Sequence, residues 1–377
     1  MRRKGTIFSE IIKYISKENF MKLVAEYHSD RYSKSFYSWD HLLTMIYCQL
    51  TNQTSLRDAV TSFNSRKQDL NNLGVSSVKR TTFADANERR TTNIFRDLFL
   101  ELVCYARGKY KRELKKLIEL IDSTPIQLKG LGYEWTKDNH RIKGLKTHVV
   151  YSLDLRMPKY FTITDANVND IEEAQKLEIT KGTTYVFDKG YYDYGWWWQL
   201  CTAGCWFVTR PKKDIRYEVI KERQAQGKNI LLDRTIKLTT EAGRRYKGRL
   251  RLITIITDDG KIMDIITNKL KGTSVNIANL YKKRWQIELF FKWLKQNLKI
   301  KKFLGRSENA VKIQIITAMI SYLLIWITLK AFKLELSAKH FMALVRVNLF
   351  QRESLIRLVK PPPCRKHRML CNMEGLL

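Results

Sequence analysis

The chain has 377 residues, with 69 Lys and Arg against 37 Asp and Glu, so its formal net charge is +32. Its hydrophobic residues, 44% of the total, suffice for one large core or several smaller ones, which excludes a disordered basic tail. Because self-repulsion among so many like charges destabilises a compact fold, the excess predicts a polyanionic partner, with nucleic acid expected first and an anionic membrane surface as the alternative.

The positive charge is present in every part of the chain but is densest near its end. Residues 1–120 carry 22 basic and 13 acidic side chains, and residues 121–270 carry 26 and 19. Residues 271–377 carry 21 and 5, which is half of the surplus. An extended polyanion that contacts several regions fits this distribution better than a basic tail on a neutral enzyme.

Helical patterns fill the first part of the chain, which we expect to be a DNA-binding domain over residues 1–115. Ser38 and Ser55 are predicted N-caps, and Thr82 is predicted to cap one long helix over residues 83–107. A cluster of basic residues near the start of that helix is typical of DNA-binding helical modules, although a solvated basic face is the alternative. The cluster comprises Lys79, Arg80, Arg89 and Arg90.

Residues 116–211 alternate between strands and helices and are expected to form the first part of an α/β core. The order is three strands, a helix, a strand, a helix and a strand, which predicts a mixed α/β sheet. The predicted strands cover residues 117–121, 147–153, 160–164, 184–187 and 205–209, and the predicted helices cover residues 174–177 and 191–200. Three consecutive tryptophans, Trp196, Trp197 and Trp198, are expected to pack into the core on at least one side rather than to stack on a DNA base.

A β-rich insertion is predicted over residues 212–272. Its strands are expected at residues 216–220, 230–238, 250–257 and 262–267, and Asp258-Asp259-Gly260 is a typical hairpin turn. Helices return at Ser274, so residues 273–335 are expected to complete the core.

The last part of the chain, residues 336–377, is expected to be a basic C-terminal region, poorly ordered after Lys360. The longest apolar run, residues 315–328, is too short to span a bilayer and predicts a buried core helix. The six cysteines include no CxxC pair, which favours reduced thiols in a cytoplasmic protein and gives no sign of a zinc site.

Two aspartates follow apolar strands of the predicted sheet. Asp122 comes after residues 118–121, and Asp188 comes after residues 185–187. Sites in open α/β sheets form at the carboxyl ends of strands, although an Asp there is often only a turn residue or a helix cap. In a strongly basic protein these carboxylates indicate phosphodiester cleavage, because the hard cations Mg²⁺ and Mn²⁺ prefer oxygen ligands.

A third carboxylate is predicted on a helix over residues 281–295. At 100° per residue, Tyr281, Arg284, Glu288 and Lys295 fall on one stripe about 60° wide, and apolar residues occupy most of the remaining circumference. A surface helix shows the reverse pattern, so this helix is expected to be largely buried with one narrow polar face. An intrahelical Arg–Glu pair on a solvated face explains two of the four residues but neither the lysine nor the aromatics.

The motif Tyr281-x2-Arg284-x3-Glu288-x6-Lys295 resembles the Tyr-Arg-Glu-Lys signature of the insertion-sequence-four family of bacterial DDE transposases. Its four residues at fixed spacing make it specific. The resemblance covers nearly the whole chain, including the helical N-terminal region and the β-rich insertion.

The two aspartates resemble the first two acidic residues of the same family. Asp122 stands in Leu-Ile-Asp-Ser-Thr and Asp188 in Val-Phe-Asp-Lys-Gly-Tyr. The resemblance implies an α/β fold with a ribonuclease-H-like catalytic core, interrupted by the insertion and preceded by the helical domain. It also implies two divalent metal ions, Mg²⁺ or Mn²⁺, held by Asp122, Asp188 and Glu288 as the catalytic residues.

The resemblance further implies a reaction and a set of DNA contacts. A DNA element is excised by hydrolysis at its ends, its second strand is cut through a hairpin intermediate, and its 3′-hydroxyl ends are transferred into target DNA. Tyr281, Arg284 and Lys295 are then expected to contact phosphates near the cleavage site. Arg210, which follows the last predicted core strand, is expected to lie near the DNA, although an Arg at a strand end is often only solvated.

The implied partners are double-stranded DNA, both as element ends and as target, and a second copy of the chain in a homodimer that pairs two DNA ends. A cytoplasmic, nucleoid-associated protein without a membrane partner is expected. Three alternatives stay open: a catalytically silent DNA-binding protein derived from a transposase, a related nuclease or recombinase that cuts without joining, and a truncated inactive copy.

Overall fold

The structure is a computed structural model that describes residues 5–136, 142–225, 227–298, 300 and 302–359. The helices before the sheet are α1 (Ile7–Ile12), α2 (Lys17–Glu26), α3 (Ser38–Thr51), α4 (Leu56–Asn64), α5 (Lys67–Asn71), α6 (Arg80–Arg89) and α7 (Asn93–Lys109). The strands are β1 (Ile118–Gln127), β2 (Gly144–Ser152), β3 (Met157–Asp165), β4 (Thr184–Phe187), β5 (Trp206–Thr209), β6 (Tyr217–Arg223), β7 (Ile230–Leu238), β8 (Leu250–Ile256) and β9 (Ile262–Thr267). The remaining helices are α8 (Asp170–Ala174), α9 (Tyr194–Thr202), α10 (Ser274–Lys282), α11 (Trp285–Asn297), α12 (Glu308–Ala331), α13 (Ala338–Asn348) and α14 (Leu355–Val359).

The sheet has the predicted mixed topology, with strand order β3-β2-β1-β4-β5-β9-β8-β7-β6. The strand β2 lies antiparallel between β3 and β1, whereas β1, β4 and β5 run parallel to one another. Three antiparallel strands followed by two parallel ones in this order form the ribonuclease-H-like arrangement, so the predicted fold class is confirmed.

The predicted β-rich stretch forms the strands β6 to β9, and Gly260 adopts a positive φ of 77° in the β8–β9 hairpin turn. The strand β9 pairs with the last core strand, β5, so the insertion extends the core sheet. A buried ion pair stabilises it, because Arg251 Nη2 lies 2.5 Å from Asp233 Oδ2. Arg251 Nη1 also donates to the carbonyl of Gly272, 2.8 Å away, and so attaches the sheet to the segment that leads into α10.

The two faces of the sheet are covered by different helices. The helices α10, α11 and α12 share one core with the N-terminal helices, and α8 and α9 cover the other face. Trp196 and Trp197 are buried there, as predicted, and Trp198 is half-buried. Among the described residues α12 alone is long and apolar enough to span a membrane, and 94% of its most apolar window is buried inside the protein, which confirms the predicted core helix.

Ser55 caps α4 as predicted, because its Oγ accepts a hydrogen bond from Asp58 N at 3.1 Å. Ser38 is instead the first residue of α3. The prediction of one long helix capped by Thr82 was wrong: Thr82 lies inside α6, and the chain is extended at Arg90 before α7 begins. Arg90 stands at this break, is only 7% exposed, and its guanidinium lies 3.2 Å from Asp30 Oδ1, so it faces inward rather than toward solvent.

The predicted single helix over residues 281–295 is also interrupted. The helix α10 ends at Lys282 and α11 begins at Trp285, with a tight turn in which Arg284 N donates to Tyr281 O at 3.0 Å. The expectation that this segment is largely buried was wrong too, since Trp285 is 56% exposed and Leu289 41% exposed. The helix α11 is therefore half-buried, and part of its apolar surface remains in contact with solvent.

The predicted poorly ordered tail after Lys360 lies outside the described residues, as do Cys364 and Cys371. The four described cysteines have free thiols, as predicted: Cys48, Cys104, Cys201 and Cys205.

Candidate active site

Parallel pairing of β1 with β4 places Asp122 beside Asp188. The last paired residues are Ile121 and Phe187, so the two aspartates occupy the next position on each strand. Because side chains alternate along a strand, both aspartates point toward the face that carries α11. Asp188 ends its strand as predicted. Asp122 does not, because β1 continues to Gln127 in its pairing with β2.

The helix α11 brings Glu288 to the same place. Its buried residues Ile287, Phe290, Phe291 and Leu294 pack into the core and leave Glu288 on the adjoining face, with a side chain 31% exposed. A cavity of about 540 Å³ lies between α11 and the strand ends. It is lined by Asp122, Ser123, Thr124, Asp188, Arg284, Glu288, Phe291, Lys292, Lys295 and Gln296.

Arg284 connects two of the three acids. Its Nη1 lies 3.5 Å from Asp122 Oδ2, and its Nη2 donates to Glu288 Oε1. Its guanidinium carbon also lies 5.8 Å from the ring centroid of Tyr281, a cation–π contact. The Arg284 side chain is 18% exposed. The turn between α10 and α11 therefore directs this cation into the cavity.

The other predicted contact residues have different positions. Lys295 lines the cavity, and its Nζ donates to the carbonyl of Pro125 at 3.1 Å. Tyr281 is 7% exposed and lines a second, more apolar cavity of about 600 Å³ together with Trp285. Arg210 follows β5 as predicted and is exposed, but it does not line the 540 Å³ cavity.

Three carboxylates and three basic side chains line the cavity together. The pKa of Asp122 is raised to about 7, first by burial and in addition by the nearby charges of Asp188 and Glu288. The backbone N–H of Ser123, which donates to Asp122 Oδ1 at 2.8 Å, and the charge of Arg284 act in the opposite direction. A bound cation would relieve this repulsion.

The side chains present fit a hard divalent cation in chemistry, because they supply carboxylate oxygens that destabilise one another's charge. Within the described parts of the chain, however, no three His, Cys, Asp or Glu side chains converge tightly enough to form a ready-made metal cluster. Arg284 contacts both Asp122 and Glu288 and supplies positive charge at that position.

Comparison with known proteins decides the family. A family described as Transposase DDE domain matches residues 113–324, and a domain of unknown function, DUF4372, matches residues 3–76. The chain belongs to the DDE transposase family. The matched DDE domain includes the three acids and the basic residues that line the cavity with them.

Its relatives are named as transposases, and some of those names give an insertion sequence. The transposase shares 40% identity over 300 residues with a Sinorhizobium fredii protein named as a transposase, covering 76% of this chain and 84% of that one. It shares 26% over 288 residues with the transposase named for element IS4SA of Synechocystis, covering 72% and 76%. It shares 25% over 238 residues with the one named for element IS5377 of Geobacillus stearothermophilus, covering 62% and 63%. These matches bear out the predicted insertion-sequence-four kind.

A solved structure titled as a piggyBac transposase synaptic complex with hairpin DNA covers 97% of this transposase and 84% of its own chain. The two chains share a TM-score of 0.49 and 11% identity.

Sequence reasoning missed two cavity residues of this transposase, Lys292 and Gln296. They follow Glu288 at intervals of four residues and so lie along one face of α11. That spacing is readable in the sequence.

Proposed function

We propose that this transposase binds the ends of its insertion sequence, cleaves them by metal-dependent phosphodiester hydrolysis and transfers the 3′ ends into target DNA. The observation that carries this proposal is the cavity in which Asp122, Asp188 and Glu288 lie together with Arg284 and Lys295. Carboxylates for cations beside basic groups for phosphates are what this chemistry requires.

Two divalent ions, Mg²⁺ or Mn²⁺, are proposed to bind in the complete site. Their ligands would be Asp122, Asp188 and Glu288. Such ions lower the pKa of the attacking water or 3′-hydroxyl and stabilise the leaving oxygen. The raised pKa of Asp122 supports this assignment, because a carboxyl group that resists ionisation in isolation gains most from a neighbouring cation.

The basic residues are proposed to bind the phosphates that flank the scissile bond. Arg284 presents a planar guanidinium that can grip a phosphate through two hydrogen bonds, and Lys295 supplies a point charge. Tyr281 contacts the Arg284 guanidinium with its ring and would hold that side chain at the site. Arg210 is exposed next to the last core strand and would bind DNA outside the cavity.

The N-terminal helices, over residues 1–115, are proposed to bind duplex DNA through a cleft of about 630 Å³ beside α6. Arg31, Lys34 and Arg89 line this cleft, and Tyr32 beside them is 86% exposed. These side chains give the cleft a positive surface suited to a phosphate backbone.

The assembly is proposed to be a homodimer that pairs two DNA ends in the cell's nucleoid. The core over residues 116–211 and 273–335 would carry the chemistry in each subunit. The insertion over residues 212–272 and the C-terminal region over residues 336–377 would widen the DNA surface.

The test is cleavage of a supercoiled plasmid that carries the DNA flanking this gene on both sides, with Mg²⁺ or Mn²⁺. Asp122→Asn, Asp188→Asn and Glu288→Gln should each abolish cleavage and joining while DNA binding persists. Glu119→Gln is the matched control, because Glu119 is also a buried acid of β1 but pairs with Lys159 at 2.7 Å. Full activity in any of the three variants would contradict the assignment. A wild-type protein that binds these DNA ends but never cuts them would instead be a catalytically silent DNA-binding protein.

A further inference from the structure

Asp170, the first residue of α8, lies behind the two aspartates of the cavity, on the opposite face of the sheet. We propose that Asp170 is a positioning residue that holds the Asp122 and Asp188 segments in place for metal binding. This inference rests on the proposed function. Sequence reasoning did not single out Asp170, because it is one of three acids in the first turn of α8, which is the ordinary pattern of a helix start.

One oxygen of Asp170 is bound to the strand that carries Asp122. The hydroxyl of Ser123 donates to Asp170 Oδ1 at 2.7 Å, and the backbone N–H of Ser123 donates to Asp122 Oδ1 at 2.8 Å. Ser123 therefore connects the two carboxylates across the sheet, since its side chain points to one face and its neighbour's to the other. Fixing Ser123 fixes the position of Asp122.

The other oxygen of Asp170 faces the segment that follows Asp188. The backbone N–H of Gly190 donates to Asp188 Oδ1 at 2.7 Å. A methyl group added at Gly190 would lie 2.9 Å from Asp188 Oδ1 and 3.4 Å from Asp170 Oδ2. The two carboxylates thus approach the same small space beside a glycine, and α8, which begins with Asp170, packs against the turn that follows Asp188.

The charge of Asp170 is itself stabilised by the strand β2. Lys146 Nζ lies 3.2 Å from Asp170 Oδ1 and also donates to the carbonyl of Val168 at 2.7 Å. His148 Nδ1 lies 3.5 Å from the same oxygen, and its Nε2 is 2.9 Å from Thr164 Oγ1. The Lys146 side chain is only 14% exposed, so the ion pair is largely shielded from solvent.

Removing a residue that orients a metal ligand has a measurable effect on metal affinity. Groups that orient metal-binding side chains typically change metal affinity or activity by about 10–100-fold when they are removed. One oxygen of Asp170 accepts the Ser123 hydroxyl, and its other oxygen lies beside the space that a side chain at Gly190 would occupy. Its loss should weaken metal binding even though Asp170 does not reach the ion, and DNA binding by the N-terminal cleft should be unaffected.

The experiment measures Mn²⁺ binding to the full-length protein without DNA, by the electron paramagnetic resonance signal of free Mn²⁺. Asp170→Ala should weaken Mn²⁺ affinity about 10-fold or more, and Asp170→Asn, which can still accept the Ser123 hydrogen bond, should weaken it less. Ser123→Ala tests the same connection with a smaller change and serves if Asp170→Ala does not fold. Glu119→Gln should bind Mn²⁺ like the wild type.

Wild-type Mn²⁺ affinity in Asp170→Ala or, where that variant does not fold, in Ser123→Ala would overturn the inference. An equal loss in Glu119→Gln would also overturn it, because the effect would then be general destabilisation. Mn²⁺ binding by Asp122→Asn shows whether a negative result concerns only Asp170 or the proposed metal site as a whole. If Asp122→Asn binds Mn²⁺ normally, the metal site itself is wrong, whereas weak binding in Asp122→Asn with normal binding in Asp170→Ala removes only the role of Asp170.

Discussion

Nη1 of Arg284 lies 3.5 Å from Oδ2 of Asp122, although 162 residues separate them in the chain. Nη2 of the same guanidinium donates to Glu288. The residue proposed to bind a DNA phosphate is therefore the counter-ion of two proposed metal ligands. When cations and a phosphate enter the cavity, the carboxylates gain new positive partners and Arg284 gains a new anion, so this exchange links metal binding to DNA binding.

Replacing Arg284 tests this exchange. Arg284→Ala should reduce the cleavage rate at saturating DNA about 100-fold, because a charged donor to the reacting phosphate is lost. Arg284→Lys should recover only part of that loss, since an ammonium group cannot grip a phosphate through a planar pair of donors. Single-turnover cleavage of the plasmid measures both variants. Equal rates for Arg284→Lys and wild type would show that only the charge matters.

The pKa of Asp122 predicts how stability depends on pH in the absence of divalent cations. The folded protein raises this pKa from 3.8 to about 7, so the folded state binds the proton more tightly than the unfolded chain. The stability contributed by protonated Asp122 is complete below about pH 4 and is lost as pH rises through about 7. Asp122→Asn lacks this loss, so its melting temperature should rise relative to wild type between pH 5 and pH 8.

Thermal melts in EDTA at several pH values measure this difference. Adding Mg²⁺ at pH 8 should stabilise the wild type more than Asp122→Asn, because the cation offsets the buried charge. Melting curves that shift in parallel at every pH would contradict the raised pKa.

Gly190 tests the packing around Asp188 without removing a charge. In Gly190→Ala the new methyl group would lie 2.9 Å from Asp188 Oδ1, so that carboxylate must move and lose its bond to the Gly190 N–H. Cleavage should fall about 10–100-fold while the melting temperature changes little. Gly108→Ala is the matched control, because a side chain added there meets no atom within 4 Å. Normal cleavage by Gly190→Ala would show that the site tolerates this displacement.

The N-terminal cleft should contribute to the salt dependence of DNA binding. If Arg31, Lys34 and Arg89 each neutralise one phosphate, each alanine variant should lower the slope of log affinity against log salt by about 0.9. Fluorescence anisotropy on a labelled duplex at several salt concentrations gives this slope. Lys22→Ala is the control, since Lys22 already pairs with Glu18 at 2.9 Å on α2. Unchanged slopes in all three cleft variants would place the DNA elsewhere.

The largest loss of stability is expected from a substitution inside the core helix α12. Leu324 is fully buried within it, so Leu324→Ala should lower the free energy of unfolding by about 2–5 kcal/mol through lost burial and an unfilled cavity. Denaturant unfolding of the full chain measures this. A change below about 1 kcal/mol would mean that the surrounding helices close around the smaller side chain.

Strands were easier to predict from this sequence than helix ends. The bounds predicted for β7 and β9 match the structure, because alternating or continuous apolar residues between turn residues define a strand locally. The extent of β1 could not be read in this way. Its polar second half continues only because β2 pairs with it, and that pairing is a long-range contact.

The structure brings the candidate residues together, but not in the geometry that the sequence predicts. Strand ends indicated Asp122 and Asp188, a helical polar stripe indicated Glu288, and all three line one cavity. The turn before Arg284 was missed, because tight turns inside a helical pattern leave little trace in apolar periodicity. Asp170 was missed because its partners come from other strands, and no local pattern records them.

The central position of α12 also affects how the protein is made. The helix packs against α1, α3, α6 and α7, yet it is synthesised long after them, since α7 ends at Lys109 and α12 at Ala331. At typical rates of translation this interval lasts roughly 10–45 s. During that time the N-terminal helices emerge from the ribosome without the apolar partner that completes their core. The nascent chain therefore exposes this apolar surface until α12 is synthesised, and the N-terminal helices and the sheet can complete their shared core only after that point.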